Sequence, residues 1–161
     1  MYYVATMKPA DAEDDERIVR HQAERDGWGF TTVEQPDDIG QLLSKCDHDG
    51  SLLFDSLTAL LANEMFLPDG AVNKQAAEKI TGGLLPVIER FRDIVIVSDF
   101  LYSDAESFDS LTELYRKSLA SLDRTAARHC EVVLEVVSTN IIVHKGKETF
   151  ENGRFVIPEL S

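Results

Sequence analysis

Apolar residues in this chain fall into short unbroken runs, separated by longer stretches with helical periodicity. Residues 2–6, Tyr-Tyr-Val-Ala-Thr, read as a buried strand. Residues 10–26 predict an amphipathic helix ended by Asp26-Gly27. Residues 30–33 predict a short strand, and Asp37 and Asp38 start a small helix that runs to Lys45. Residues 51–55 form a continuous apolar strand with an acid at its end. Residues 57–66 make an apolar helix, followed by a Pro68-Asp69-Gly70 turn. A longer helix is expected over 72–91, interrupted near Gly82-Gly83 and Pro86. Residues 94–98 give a second fully apolar strand, 108–128 a long helix and 131–137 a third strand. Residues 141–144 and 154–157 predict a terminal antiparallel β-ribbon turning at Glu151-Asn152-Gly153.

Short apolar strands alternating with helices mean an α/β fold, a mostly parallel sheet flanked by helices on both faces. No repeat, low-complexity segment or linker divides the chain, so residues 1–161 are expected to form one domain. Ligands of such sheets bind beyond the carboxyl ends of the strands. That rule places Thr6, Met7, Lys8, Asp55 and Ser98-Asp99 on one rim.

Composition narrows the partners. An apolar fraction of 43% and a charged fraction of 28% are ordinary for a globular domain. The net charge of −13 argues against nucleic acid or an anionic membrane, because both demand basic patches. Much of the acid lies in residues 11–16 and 104–109, which read as solvated helix starts. Cys46 and Cys130 are far apart in the sequence, lack metal-ligand spacing and read as reduced thiols. No apolar run approaches the roughly 20 residues of a membrane helix, and the N-terminus has no basic-then-apolar signal pattern. The expected compartment is the cytoplasm.

The most informative chemistry is at His21. On a helix, Arg17, His21 and Arg25 are four apart and share a face. A histidine between arginines is biased toward its neutral form. Such an imidazole could attack phosphorus while the guanidinium groups hold the phosphate oxygens. The alternative is a solvated histidine on a polar helix face.

Several stretches, in order, resemble one family. They are Tyr2-Tyr3-Val4-Ala5-Thr6-Met7-Lys8-Pro9, then Arg17-Ile18-x-x-His21-x-x-x-Arg25, then Thr32-Val33-Glu34. Leu52-Leu53-Phe54-Asp55-Ser56-Leu57-Thr58 and Leu61-Ala62-Asn63-Glu64-Met65-Phe66 follow, and residues 131–137 and 141–146 resemble terminal strands. The pattern resembles the bifunctional adenosylcobinamide kinase/adenosylcobinamide-phosphate guanylyltransferases of cobalamin (vitamin B12) biosynthesis. The resemblance implies a P-loop NTPase-like fold. It also implies that His21 takes GMP from GTP as a phosphoramidate and passes it to adenosylcobinamide phosphate.

Thr6, Met7 and Lys8 match the family's nucleotide-contacting segment, and Gln22, Ala23, Glu24 and Arg25 match the base- and ribose-side segment. Glu34 matches a guanine-edge acceptor, with a surface carboxylate as its alternative. By the resemblance Asp55 faces the nucleotide and could hold Mg²⁺ accompanying GTP or ATP; the alternative is a helix N-cap. The implied partners are GTP or ATP, adenosylcobinamide and its phosphate, and further copies of the chain, a trimer by resemblance.

Four features depart from the pattern. No G-x-x-x-x-G-K-[ST] phosphate loop occurs within residues 1–161, so the fold is expected to lack its first strand–loop–helix. The missing strand should leave either a rearranged sheet or an oligomer that covers the gap. Ser98-Asp99-Phe100-Leu101 stands where Thr-Asn-Glu-Val is usual, and Tyr115-Arg116-Lys117 and Asp123 stand where Phe-Arg-Asp and Asn are common. These departures leave open a degenerate family member acting as a nucleotide- or corrinoid-binding or regulatory subunit. His48, His129 and His144 read as surface or core histidines.

Overall fold

The computed structural model describes residues 1–9, 12–102, 106–138 and 140–154. It contains two compact units, Met1–Asp123 and Arg124–Ser161.

The first unit is built on a four-stranded sheet of order β2-β1-β3-β4, with every neighbouring pair parallel. The strands are β1 (Tyr2–Ala5), β2 (Thr31–Glu34), β3 (Ser51–Asp55) and β4 (Asp93–Val97). The helices are α1 (Ala12–Glu24), α2 (Leu42–Lys45, entered through a 3₁₀ turn Ile39–Gln41), α3 (Leu57–Met65), α4 (Ala76–Arg90) and α5 (Ser110–His129). The α/β architecture with a parallel sheet flanked by helices is therefore the one the sequence predicts.

Topology assigns the helices to faces. The β2→β3 and β3→β4 connections step one way along the sheet, and β1→β2 steps the other way. With right-handed crossovers, α2, α3 and α4 fall on one face and α1 on the opposite face. The register agrees. Val4, Phe54 and Ile96 lie in one row and Leu52 and Ile94 in the next, all on one face. Val4, Leu52 and Phe54 are buried, as are Leu57, Leu60, Leu61, Ile80, Leu84 and Val87 on the helices. Each such side chain contributes about 1.5–3 kcal/mol through burial. The other face carries Tyr3, Ala5, Leu53, Asp55, Val95 and Val97, and its cover is uneven: Tyr3 is buried, whereas Val95 is 52% exposed.

Three expectations need correction. First, α4 is continuous from Ala76 to Arg90 with Pro86 inside it, and it begins four residues later than predicted because Val72 bridges Phe66. Gly83 is a packing residue, not a break. A Cβ there would lie 3.0 Å from the Gly40 nitrogen and 3.0 Å from Ile39 Cγ2, whereas one on Gly82 would meet nothing within 4 Å. Gly82→Ala should therefore stabilise the protein by about 0.5–1 kcal/mol through helix propensity. Gly83→Ala should destabilise it by about 1 kcal/mol or more through overpacking. Urea midpoints of the two variants moving in the same direction would refute this packing account.

Second, residues 133–137 do not join the parallel sheet. They form β5 (Val133–Val137), which pairs antiparallel with β6 (Asn140–Lys145) in the second unit. Third, the ribbon therefore turns near Ser138, at φ 57°, and not at Glu151-Asn152-Gly153, which lies within a π-helical turn, Phe150–Arg154. The proposed partner strand, 154–157, falls almost wholly outside the described residues. β5 and β6 are separated by only two residues, the spacing of a tight hairpin. Within this second unit, Lys145 Nζ donates to the carbonyls of Ala127, Arg128 and Cys130 at 2.9, 3.1 and 2.7 Å, satisfying the exposed end of α5. Cys46 and Cys130 are free thiols whose pKa values burial pushes up.

Candidate functional site

The carboxyl ends of β1, β2 and β3 meet at one rim. Ala5 is in register with Glu34 on one side and Asp55 on the other, so all three side chains share a face. Two strand spacings put Glu34 and Asp55 roughly 10 Å apart across the sheet. Glu34 is exposed and Asp55 half-buried.

Asp55 is held by a residue that sequence reasoning passed over. Tyr3, two positions before Ala5 on the same face, donates its hydroxyl to Asp55 Oδ2. The Tyr3 ring in turn supports the Arg25 guanidinium, whose carbon lies 3.6 Å from the ring centroid. Tyr3 thus joins β1, β3 and the end of α1. Its period-two position relative to Ala5 was the available signal. Burial, followed by the Asp55 hydrogen bond and charge, pushes the Tyr3 hydroxyl up to about 12. The unfolded chain ionises near the ordinary value of 10 and the folded chain does not, so stability falls as pH rises from 10 toward 12. Tyr3→Phe should flatten that slope in urea unfolding series. An unchanged slope would mean that Tyr3 does not titrate this way.

Asp55 is not the N-cap of α3. Ser56 takes that role, with its hydroxyl accepting from the Ala59 N–H at 3.3 Å. The carboxylate is left facing the rim. Among the described residues, no group of three or more His, Cys, Asp or Glu side chains could form a protein cage for a metal ion. A single carboxylate fits Mg²⁺, which keeps most of its waters and takes phosphate oxygens as ligands.

Thr6 is fully buried. Its hydroxyl donates to the Ser56 carbonyl at 2.9 Å and accepts from the Ser56 N–H at 2.7 Å, tying the end of β1 to the start of α3. Met7 is half-buried, and Lys8 pairs with Asp37 at 2.8 Å, both side chains being about half exposed. Asn63, also missed in the sequence, bridges the two loops. Its amide donates to the Thr6 carbonyl at 2.7 Å and to the Pro36 carbonyl at 2.9 Å. The next residue, Glu64, is buried; it accepts from the Asp38 N–H at 2.8 Å and from Lys79 at 2.7 Å.

His21 is exposed on the last turn of α1, and its carbonyl accepts from the Arg25 N–H at 3.2 Å. The helical turn therefore carries on to Arg25 and sets it one turn beyond His21. The Arg17 and Glu24 side chains lie outside the described residues. Gln22 and Arg25, with Asp26, Gly27, Gly29, Phe30 and Thr32, line a cleft of about 390 Å³. Gly27 and Gly29, at φ 83° and 76°, make the tight exit from α1 that forms its floor. Arg25 Nε is buried there without a hydrogen-bond partner. Of the residues singled out in the sequence, Gln22 and Arg25 share this cleft, and Ala23 is exposed beside it. Thr6, Lys8, Glu34 and Asp55 lie along the strand rim.

A family model described as cobinamide kinase / cobinamide phosphate guanyltransferase matches residues 1–142. The chain belongs to this family. The match takes in every element of the first unit and β5, and so includes α1, the cleft and the rim. A search of curated proteins finds no match. Membership in the cobinamide kinase/guanyltransferase family puts the chain among transferases of cobalamin biosynthesis that use nucleotide and cobinamide substrates. The remaining histidines are accounted for locally: the His48 ring packs edge-on against Phe91 with centroids 5.0 Å apart, and His144 meets Glu135 at 2.8 Å. Among the described residues, no helix is long and apolar enough to cross a membrane.

Proposed function

We propose that the chain is a guanylyltransferase and kinase of the cobinamide pathway, working in the cytoplasm as an oligomer, with His21 as its nucleophile. An imidazole nitrogen attacks the α-phosphorus of GTP. A P–N bond forms, the bond from the α-phosphorus to the α–β bridging oxygen breaks, pyrophosphate leaves with that oxygen, and the imidazole releases the one proton on its other nitrogen to solvent. A phosphate oxygen of adenosylcobinamide phosphate then attacks the same phosphorus and regenerates His21. Splitting one displacement into two in this way is covalent catalysis.

Arg25 neutralises phosphate oxygens from the cleft, and Gln22, Ala23 and Glu24 lie along the base and ribose side. Thr6, Met7 and Lys8 shape the nucleotide side of the rim, and Glu34 accepts from the guanine edge. Mg²⁺, held by Asp55 directly or through water, neutralises triphosphate charge when bound.

The reading is carried by the family match over residues 1–142 together with the cleft that Gln22 and Arg25 line one turn beyond His21. Incubation of the chain with α-labelled GTP and Mg²⁺ tests it, the expected product being an acid-labile, base-stable label on the protein. A folded protein that takes no label supports the second reading, a degenerate member that binds nucleotide or corrinoid as a regulatory subunit. That reading is favoured by one observation, Ser98-Asp99-Phe100-Leu101 standing where the family pattern has Thr-Asn-Glu-Val.

A further inference from the structure

Apolar side chains that this chemistry leaves unused gather where β4 ends and α5 begins. Phe100 and Leu101 follow β4 closely and are 58% and 46% exposed, and Phe108 is 39% exposed. They are held in place despite facing solvent. Phe100 meets Tyr102 edge to face, with ring centroids 4.7 Å apart. Arg116 is buried, donates from Nε to the Leu101 carbonyl at 3.2 Å, and lays its guanidinium 4.7 Å from the centre of the Phe108 ring. Arg116 is thus a common post for the two halves of the patch. Exposed apolar surface rimmed by polar residues is characteristic of an interaction or ligand-binding site.

The border of the patch selects the occupant. Asp99, Glu106 and Asp109 are exposed around it, and Arg116 is already committed to Glu113 at 2.8 Å. A triphosphate would be repelled by this acidic border. The family's other substrate, a cobinamide, has the opposite character. It is a broad, largely apolar macrocycle, fringed with carboxamide N–H donors and positively charged in its alkylcobalt form. Its face suits Phe100, Leu101 and Phe108, and its amide fringe suits carboxylates. The location also suits it. Val97, which ends β4, is in register with Asp55, so the patch begins beside the rim that carries the candidate nucleotide residues.

We propose that Phe100, Leu101 and Phe108 form the seat of the corrin ring, with the carboxylates around them receiving its amide fringe. The proposal rests on the cobinamide substrate of the reading above. It gives a use to the aromatic at position 100, where the family pattern has a glutamate.

Equilibrium dialysis of the full chain against adenosylcobinamide, read by corrin absorbance, tests the proposal. The variants are Phe100→Ala/Leu101→Ala and, separately, Phe108→Ala, with the exposed second-unit residue Val136→Ala as control. All four positions are exposed, and circular dichroism checks the fold of each variant. The expected result is binding by the wild type and by Val136→Ala, with at least about tenfold weaker binding in the double variant, the loss of one well-buried apolar contact being worth about a factor of ten. Wild-type affinity retained in both patch variants overturns the seat and leaves the cobinamide reading standing. A change of oligomeric state without a change of affinity assigns the patch to self-association and also overturns it. No corrinoid binding by the wild type overturns the seat and the cobinamide assignment together, while GTP labelling of the same preparation reports on the nucleotide reading by itself.

Discussion

In His21→Ala the label from α-labelled GTP should fall to background, while circular dichroism and the urea midpoint should stay at wild-type values. His21 is exposed on α1, so truncating its side chain leaves the core untouched, and circular dichroism and urea unfolding check that the fold is kept. The loss is therefore one of chemistry and not of fold. Removing the atom that forms the bond costs on the order of 10³-fold or more in comparable covalent enzymes. Acid lability with base stability distinguishes a phosphorus–nitrogen bond from a serine or threonine phosphoester. His129→Ala, exposed on α5, should label as the wild type does. A label that survives in His21→Ala would remove His21 from the mechanism.

Thr6→Val should cost about 1–3 kcal/mol, although the two side chains have nearly the same shape. Thr6 is wholly buried, and its hydroxyl both receives and gives a hydrogen bond at Ser56. Valine strands the Ser56 N–H, at about 1–3 kcal/mol for a buried group left without a partner, while the Ser56 carbonyl keeps the Leu60 N–H at 3.1 Å. Ser56 follows Asp55 directly, so the same change disturbs the carboxylate at the rim. Thr6→Ser keeps the hydroxyl and loses one methyl, and should cost about 1 kcal/mol. Urea unfolding reads the difference as a lower midpoint with an unchanged slope. A Thr6→Val midpoint equal to that of the wild type would show that Ser56 finds other partners.

What could be read from the sequence depended on the range of the interaction. β2, with Val33 as its one apolar residue, was placed one residue early, whereas β1, β3 and β4 were legible because their apolar runs are nearly continuous, and β3 is marked by the acid at its end. Helix α3 was placed to within one residue for the same reason. The hairpin of β5 and β6 was not. A valine-rich run such as residues 131–137, interrupted by Glu135, fits a buried parallel strand as well as a ribbon strand, and periodicity does not separate them. Gly82-Gly83 and Pro86 read as breakers because local propensity says so, yet the close approach of Gly83 to Gly40 keeps that helix whole.

At the site, the residues named from pattern were those on α1 and at strand ends. Those missed, Tyr3 and Asn63, act through partners 52 residues away for Tyr3 and 57 and 27 residues away for Asn63. No local pattern encodes such pairings. Thr6 shows the converse. It was named for contact with nucleotide, and the structure spends its hydroxyl on Ser56.

Asn63 carries one more consequence. One amide group grips carbonyls from two separate loops, those after β1 and β2, and Lys8 and Asp37 close the same pair of loops from outside. The two loops therefore move as a single body, and neither can open without releasing the other. The entropy of arranging them was surrendered when the chain folded, so a molecule arriving at the rim has little left to organise.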